Sequence, residues 1–333
     1  MNMPLTSQVI NHIGPYGFYA VTKQLTKKYP RVLMYHRFSN TKKHGFTSKA
    51  HFERQIEYIS KHYHTMTVSQ LIELKYFQNK KIPNNTIAIT VDDGHLDFYH
   101  IAFPILKKYN VTATLYITSG FVDKRLWLWP DKISWILDQV TEIPEQTYIG
   151  NLMLPPGKMD KSRRTKLWHK IIDYMLNVSN DHKEELIFEL YRKLNITIPN
   201  LPPYEYMALN WNQVCEIHSE DIEIGGHTMS HPSLIHIDKK KAWEEISGCM
   251  FDIKKNLGKF PVTFCYPNGS PREINRELKS FVHKSGYIGA VVAFADTVNI
   301  CDRFAIRRHA CGNSMFQFHN AVSGTELLGI KLR

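Results

Sequence analysis

The sequence lacks the features that would indicate an oxidising compartment or a membrane span. It has only five cysteines in 333 residues, an odd number without a Cys-x-x-Cys spacing, which favours reduced thiols over a disulfide framework. No apolar run reaches the length of about 18 residues that crosses a bilayer. The first 30 residues contain no continuous apolar stretch with a small-residue cleavage site, as a secretory signal would require. We therefore expect a cytoplasmic protein.

Acidic residues are also fewer than basic ones. The chain has 42 Lys and Arg against 31 Asp and Glu, a net charge of +11, which favours anionic partners. No RNA- or DNA-binding signature accompanies the charge, so nucleic acid is not expected. Residues 1–30 mix aromatic residues with lysines between Tyr16 and Lys28. We interpret them as a helical segment that docks on the domain, with peripheral association at the inner face of an anionic membrane as the alternative.

The rest of the chain, residues 31–333, alternates strand-like and helix-like segments. Apolar runs such as "RVLMY" (31–35) and "TIAITV" (86–91) are each followed by an amphipathic stretch. This alternation predicts a mainly parallel sheet with helical crossovers, either a barrel or a doubly wound sheet. Residues from about 125 to 206 break the rhythm, and we interpret them as a mostly helical insertion that forms a lid or one wall of a groove.

Polar residues follow several of the predicted strands. The carboxyl ends of parallel strands share one edge of the sheet, so residues at these positions converge in space. The residues concerned are His36, Asp92 and Asp93, His227 and His231, and the Pro267-Asn268-Gly269 stretch. Taken alone, an Asp-Asp-Gly turn or a His-x-x-x-His pair is equally consistent with a structural role. The convergence of all of them favours a functional site.

Two adjacent carboxylates repel each other unless they have separate tasks. Two imidazoles and one carboxylate suit a catalytic zinc-type centre with an open position. The second carboxylate would then act as a general base beside the metal. Pro232 prevents an ordinary helix from continuing past His231, which is consistent with an irregular, ligand-bearing loop.

The motifs "TVDDG", "HTMSHP" and "FCYPNG", in this order, resemble the polysaccharide deacetylases of the NodB-homology type, carbohydrate esterase family 4. The resemblance covers most of residues 30 to 310. It implies a distorted (β/α) barrel with a mostly helical insertion. It also implies a metal-dependent hydrolase that removes N-acetyl groups from an amino sugar in a glycan or glycolipid, in surface polysaccharide biosynthesis or modification. The implied cofactor is a divalent metal, with Zn²⁺ first and Co²⁺ or Ni²⁺ as alternatives.

The resemblance also assigns roles to individual residues. The general base would be Asp92, the metal ligands would be Asp93, His227 and His231, and the oxyanion and substrate contacts would come from Tyr266, Pro267 and Asn268. The early "LMYH" resembles a permuted subgroup that acts on poly-N-acetylglucosamine. His36 is therefore the first candidate for the general acid, and His309 is the second.

One position departs from the family's pattern. The third motif usually carries an arginine that orients the base, whereas this chain has Cys265 there. Arg308 or Arg307, from the last predicted strand at 303–308, would have to supply that cation from another direction.

Two other functions remain open at this point. The first is a deformylase or amidase on another C–N amide substrate, which a tight apolar pocket would favour. The second is a non-catalytic relative that binds a glycan or a membrane. The presence of Asp92 next to a complete set of metal-ligand candidates argues against a pure binding protein, which has no evident need for a general base.

Overall fold

Parallel β-strands form the centre of the fold, as the alternating pattern predicts. The computed structural model describes residues 17–43, 45–197, 199, 201–295 and 300–331. The strands in these ranges are β1 (Arg31–Tyr35), β2 (Phe38–Ser39), β3 (Thr47–Ser48), β4 (His64–Thr65), β5 (Thr86–Val91), β6 (Thr114–Ile117), β7 (Glu142–Ile143), β8 (Tyr148–Ile149), β9 (Leu152–Met153), β10 (Gly157–Lys158), β11 (Glu223–Gly226), β12 (Thr263–Cys265), β13 (Gly289–Val291) and β14 (His309–Ala310).

The main sheet is parallel and its two edges are joined. Its strands lie in the order β13, β12, β11, β6, β5, β1 and β14, and β4 pairs with the start of β5. Residues 303–310 bridge the edges: Val292 N–H donates to the Ile306 carbonyl at 2.9 Å, and β14 pairs with β1 through Leu33 and His309. The predicted distorted (β/α) barrel is confirmed.

Helices surround the barrel and follow the predicted periodicity. They are α1 (17–26), α2 (Lys49–His62), α3 (Val68–Ile72), α4 (Phe103–Lys108), α5 (Ser119–Val122), α6 (Trp129–Gln139), α7 (Lys161–Leu176), α8 (Asn180–Lys193), α9 (Trp211–Ser219), α10 (Lys239–Leu257), α11 (Arg276–Lys284), α12 (Met315–Ser323) and α13 (Thr325–Lys331). Helix α2 buries Phe52, Ile56 and Ile59 on one face. Among the described residues, no helix is both long enough and apolar enough to span a bilayer.

The two faces of the sheet carry different residues, because successive side chains of a strand point to opposite sides. Ile87 and Ile89 of β5 pack in the largest hydrophobic cluster, against the surrounding helices. Ala88 belongs to a second cluster on the opposite face, with Ile306. This inward series continues through Thr90, whose hydroxyl contacts the buried Arg308.

Residues 129–193 form a helical unit beside the barrel. Helices α6, α7 and α8 and two short antiparallel strand pairs, β7 with β10 and β8 with β9, enclose their own hydrophobic cluster. After this unit the chain returns to the barrel through residues 207–209. There Leu96 N–H donates to the Met207 carbonyl at 2.8 Å and Leu209 N–H donates to the Gly94 carbonyl at 2.9 Å.

Helix α1 packs against the C-terminal helices. The Tyr19 ring stacks on His319 with a centroid distance of 5.2 Å, and the Thr26 hydroxyl donates to the Ser323 carbonyl at 2.9 Å. Val21 and Leu25 of the same helix are exposed. The rest of the predicted N-terminal segment, residues 1–16, lies outside the described residues.

Candidate active site

Asp92 follows β5 and is held by Arg308, which directly precedes β14. Asp92 lies two residues beyond Thr90 and so continues the inward-facing series. The Arg308 guanidinium donates from Nη1 to Oδ1 and from Nη2 to Oδ2 of Asp92, each at 2.7 Å. Arg308 is itself fixed by Nε, which donates to the Val292 carbonyl at 2.9 Å. Both side chains are buried, so this is a bidentate ion pair shielded from water.

This ion pair sets the charge state of Asp92. Burial alone would raise the pKa of the Asp92 carboxyl, but the charge and hydrogen bonds of Arg308 outweigh it and hold the pKa below its ordinary value. Cys265, at the position where the family usually has arginine, lies with Sγ 3.2 Å from Arg308 Nη2. Arg307 donates to the Ala305 carbonyl at 2.7 Å. Of the two candidate arginines, Arg308 is the one that binds Asp92.

Asp93 faces the two histidines that the sequence groups with it. Its Oδ1 lies 3.4 Å from His227 Nε2 and 3.6 Å from His231 Nε2. His227 Nδ1 lies 2.7 Å from the Cys265 carbonyl oxygen; because a carbonyl only accepts, Nδ1 carries a proton, and Nε2 is the ring nitrogen that faces Asp93. Burial is the main cause that lowers the pKa of His231 to about 4, which keeps this ring neutral.

Two groups of side chains in the described ranges are close enough together to hold a metal ion. One consists of Asp92, His227 and Cys265, but the Arg308 cation already neutralises Asp92, and burial raises the pKa of the Cys265 thiol. The other consists of Asp93, His227 and His231, whose ligand atoms lie within 4.8 Å of one another. Two imidazole nitrogens and one carboxylate oxygen are a donor set that fits a divalent metal of the zinc type with an open position.

The loops that carry these side chains have left-handed backbone at several positions. The φ angles of Asp93, Thr228, His231 and Asn268 are +79°, +68°, +56° and +61°. Thr228 is β-branched, which makes its positive φ unusual. Its hydroxyl accepts a hydrogen bond from the His231 N–H at 3.0 Å. These reversals turn the side chains after the strand ends into the same space.

His36 lies at the edge of the site. It follows β1, and its Nε2 is 3.5 Å from Asp92 Oδ2. Its side chain is 46% exposed, compared with 2% for Asp92. The imidazole therefore stands between the buried carboxylate and the solvent, where it can contact a bound ligand.

His309, the second candidate for the general acid, does not join the site. Arg308 points into the barrel, so the next side chain along the strand points out. His309 Nδ1 lies 2.6 Å from Glu326 Oε2 on α13. The structure therefore turns His309, the second candidate for the general acid, away from the site, and His36 is the candidate that lines the cavity.

The third motif contributes less than the resemblance implies. The Tyr266 N–H donates to the Val291 carbonyl at 3.3 Å, and its hydroxyl donates to the Phe304 carbonyl at 3.1 Å. Neither group is therefore free for an oxyanion, and Pro267 has no N–H. Asn268 lines the cavity, and its Nδ2 is buried without a hydrogen-bond partner in the described residues. Asn268 is thus the donor that this motif offers to a ligand.

A cavity of about 560 Å³ brings these groups together, a volume typical of small-ligand sites. The barrel supplies its polar floor. The insertion supplies one wall, which mixes aromatic and aliphatic side chains with charged ones: Trp129, Leu137 and Asp138 come from α6, and Arg164, Trp168 and Ile172 come from α7. Phe46, just before β3, lines the same cavity.

A second group of buried residues lies beside Asp93, lines the same cavity and was not predicted from the sequence. His95 Nε2 lies 2.7 Å from Asp131 Oδ2 on α6, and Arg37 donates to Asp131 Oδ1 at 3.0 Å. His95 follows the Asp-Asp-Gly motif directly, which is the one signal in the sequence that could have indicated it. Nothing in the local pattern connects it with Asp131, which lies in the insertion.

A parallel α/β barrel with its polar residues gathered at the strand ends is the architecture of a class of enzymes that catalyse reactions in a solvent-accessible cavity. Residues 79–289, more than half of the chain, match the sequence profile of the family described as polysaccharide deacetylase. The chain belongs to this family, whose members are hydrolases.

Individual relatives agree with this assignment. The poly-beta-1,6-N-acetyl-D-glucosamine N-deacetylase of Staphylococcus aureus is 36% identical over 88 residues, which cover 26% of this chain and 30% of that protein. The match thus spans less than a third of the relative's length. Among solved structures, the deacetylase PplD of Streptococcus pyogenes, in complex with acetate, superimposes with a TM-score of 0.57 at 15% identity, over 87% of this chain and 96% of that one. IcaB from Ammonifex degensii does so with a TM-score of 0.57 at 15% identity, over 90% and 97%. These structural likenesses concern the fold.

Proposed function

We propose that this protein is a divalent-metal-dependent N-deacetylase that acts on an amino sugar in a glycan or glycolipid, in the biosynthesis or modification of a surface polysaccharide. One observation carries the proposal: Asp92 and Asp93 are adjacent in the chain yet face different partners in one cavity. Asp92 is held by a cation, and Asp93 is held opposite two imidazoles. This separation is what a general base beside a metal site requires.

Asp93, His227 and His231 would hold the metal, for which Zn²⁺ is the first expectation and Co²⁺ or Ni²⁺ are alternatives. Bound there, a divalent ion would polarise the acetyl carbonyl and make a water molecule more acidic. The Cys265 carbonyl, which accepts from His227 Nδ1, fixes the orientation of that ring in the way that outer partners of metal ligands do.

Asp92 would remove the proton from the water whose oxygen attacks the acetyl carbon. The lowered pKa of Asp92 keeps this carboxylate ionised, and Arg308 fixes its orientation. The C–N bond then breaks, acetate leaves, and His36 would donate a proton to the departing amine. Asn268 Nδ2 would donate to the substrate, either to the acetyl oxygen or to a neighbouring hydroxyl.

The first experiment is a measurement of acetate released from N-acetylated glucosamine oligomers. We expect the wild-type protein to release acetate, and we expect Asp92→Asn to lose activity while it retains the metal content of the wild type. Glu57→Gln, which removes an exposed carboxylate on α2 that pairs with Lys61, is the matched control. An Asp92→Asn protein with full activity would show that the general-base assignment is wrong.

The apolar side chains in the cavity wall are also compatible with a second substrate class. Trp168, Ile172 and Phe46 suit either the faces of sugar rings or the apolar part of a lipid-linked or other amide substrate. The same assay with a lipid-linked acetylated amino sugar and with an N-formyl amine separates these classes. Faster turnover of the formyl compound would favour the deformylase alternative, and binding of glycans without turnover would favour a non-catalytic relative.

The location of the protein remains a prediction. A cytoplasmic site, peripheral to the inner face of an anionic membrane, is supported by the five cysteines, each of which is a free thiol. It is also supported by the net charge of +11. Sedimentation of the protein with vesicles that contain anionic lipid, compared with neutral vesicles, tests the membrane part.

A further inference from the structure

The carboxylate of Asp93 has a second neighbour on the side away from its two histidines. His95 Nδ1 lies 3.7 Å from Asp93 Oδ2. The His95 side chain is only 2% exposed, and this nitrogen has no hydrogen-bond partner in the described residues. A buried imidazole packed 3.7 Å from a carboxylate oxygen restricts the positions that this oxygen can take.

The orientation of the His95 ring is set by the insertion. Its other nitrogen, Nε2, lies 2.7 Å from Asp131 Oδ2 in the first turn of α6. The other oxygen of Asp131 accepts from Arg37 Nη1 at 3.0 Å, and Arg37 Nε donates to Asp97 at 2.8 Å. Burial would lower the pKa of Arg37, but Asp131 and Asp97 outweigh it and raise the pKa, so Arg37 stays charged. The His95 ring therefore contacts the Asp131 carboxylate, which pairs with the buried cation of Arg37.

The returning end of the insertion holds the same loop through its backbone. The carbonyl of Gly94 accepts from the Leu209 N–H, the Leu96 N–H donates to Met207, and His95 pairs with Ala208 as an antiparallel bridge. The loop that carries Asp93 is therefore held by residues at both ends of the insertion.

We propose that Asp131 and His95 are positioning residues for the metal ligand Asp93, so that the insertion is a structural part of the metal centre as well as a wall of the cavity. This inference rests on the proposed function, because it requires that Asp93 binds a metal. Outer partners of metal ligands typically contribute 10- to 100-fold to metal affinity, and we expect an effect of that order here.

The test measures metal affinity directly, with Zn²⁺ alone and with Co²⁺ alone, on chelator-treated protein without substrate. We expect Asp131→Ala and His95→Ala each to raise the Zn²⁺ dissociation constant about 10- to 100-fold. The double variant should be no weaker than the weaker single variant, because both act through one contact. The Co²⁺ absorption band should also change in each variant, which a loss of stability alone would not produce.

Glu184→Gln is the matched control. Its carboxylate, 59% exposed on α8, pairs with Lys132, the residue after Asp131, at 2.6 Å. This variant should keep the wild-type Zn²⁺ affinity, since an exposed pair contributes little. Circular dichroism in the near-ultraviolet checks the fold of every variant. If Asp131→Ala does not fold, Asp131→Asn, which keeps the volume and removes the charge, takes its place with the same expected direction.

The outcomes separate the two proposals. Folded Asp131 and His95 variants with wild-type Zn²⁺ affinity would overturn the positioning role and leave the proposed function intact. Wild-type protein that binds neither Zn²⁺ nor Co²⁺ would contradict the proposed metal site itself, and the positioning role with it.

Discussion

The ion pair between Arg308 and Asp92 gives the sharpest test of how the site is held together. Arg308→Met removes a guanidinium that is 1% exposed and donates to both oxygens of Asp92. Methionine fills part of the same space without a charge. The variant therefore leaves the Asp92 carboxylate buried in the barrel without its cation.

The expected loss of stability follows from the burial of the pair. Removal of one partner from a buried ion pair costs about 3–5 kcal/mol, because the other charge stays desolvated. At about 2.1 cal/mol/K per residue, unfolding of this 333-residue chain carries an entropy of about 0.7 kcal/mol/K near the midpoint. The melting temperature of Arg308→Met should therefore fall by about 4–7 °C. Adding Asp92→Asn removes the unpaired charge and should restore most of this loss.

Scanning calorimetry on chelator-treated protein measures these differences, since removal of metal keeps ligand effects on the melting temperature constant. Arg307→Met is the control for the loss of a charge at the next position: Arg307 donates to the Ala305 carbonyl and lies over the Phe294 ring. It should melt closer to the wild type. The reasoning fails if Arg308→Met melts like the wild type, or if Asp92→Asn lowers its melting temperature further.

Four further outcomes are expected. His36→Ala should lower the deacetylation rate by about 10²–10⁴-fold, whereas His309→Ala should keep the wild-type rate. The pH–rate profiles of the two variants show which histidine acts as the general acid. Trp168→Ala should raise KM more than it lowers kcat, because this side chain lines the wall of the cavity; steady-state kinetics decide. Saturating Zn²⁺ at about 100 times its dissociation constant should stabilise the chelated protein by about 2.7 kcal/mol, measured by denaturant unfolding. The pKa of Asp92 is lowered in the folded protein. Its contribution to stability is therefore present above the ordinary pKa of an aspartate and is lost as the pH falls through the folded value. Asp92→Asn should weaken this loss of stability at low pH, and measurements of the unfolding free energy against pH test it.

The site was predictable from the sequence where it depends on strand order and side-chain alternation. The convergence of strand ends predicts that Asp92, Asp93, His227 and His231 share one cavity, because parallel strands share one edge for their carboxyl ends. The alternation of strands and helices leaves a barrel and a doubly wound sheet as alternatives, and the family resemblance favours the barrel. Arg308 and Arg307 are both candidates for the cation that orients Asp92. Only the structure of the segment before β14, which turns Arg308 inward, distinguishes it from Arg307.

The remaining features depend on contacts that no local pattern encodes. His309 was a plausible acid in the sequence, but the same alternation that turns Arg308 inward turns His309 towards α13. The pairing of His95 with Asp131 requires the insertion to pack against the barrel, and residue spacing carries no information about that docking. The occupied N–H of Tyr266 likewise follows from its pairing with Val291, which the motif alone does not reveal.

The left-handed residues in and beside the cavity limit how far this protein can be stabilised without loss of its site. Asp93, Thr228, His231 and Asn268 occupy backbone conformations that glycine adopts most easily. Such conformations cost about 1–3 kcal/mol each, a sizeable share of the ~5–15 kcal/mol by which a typical domain is stable. A directed-evolution screen that scored only heat resistance or yield would therefore enrich glycine at these positions. It would select a more stable barrel that lacks the side chains of the proposed site.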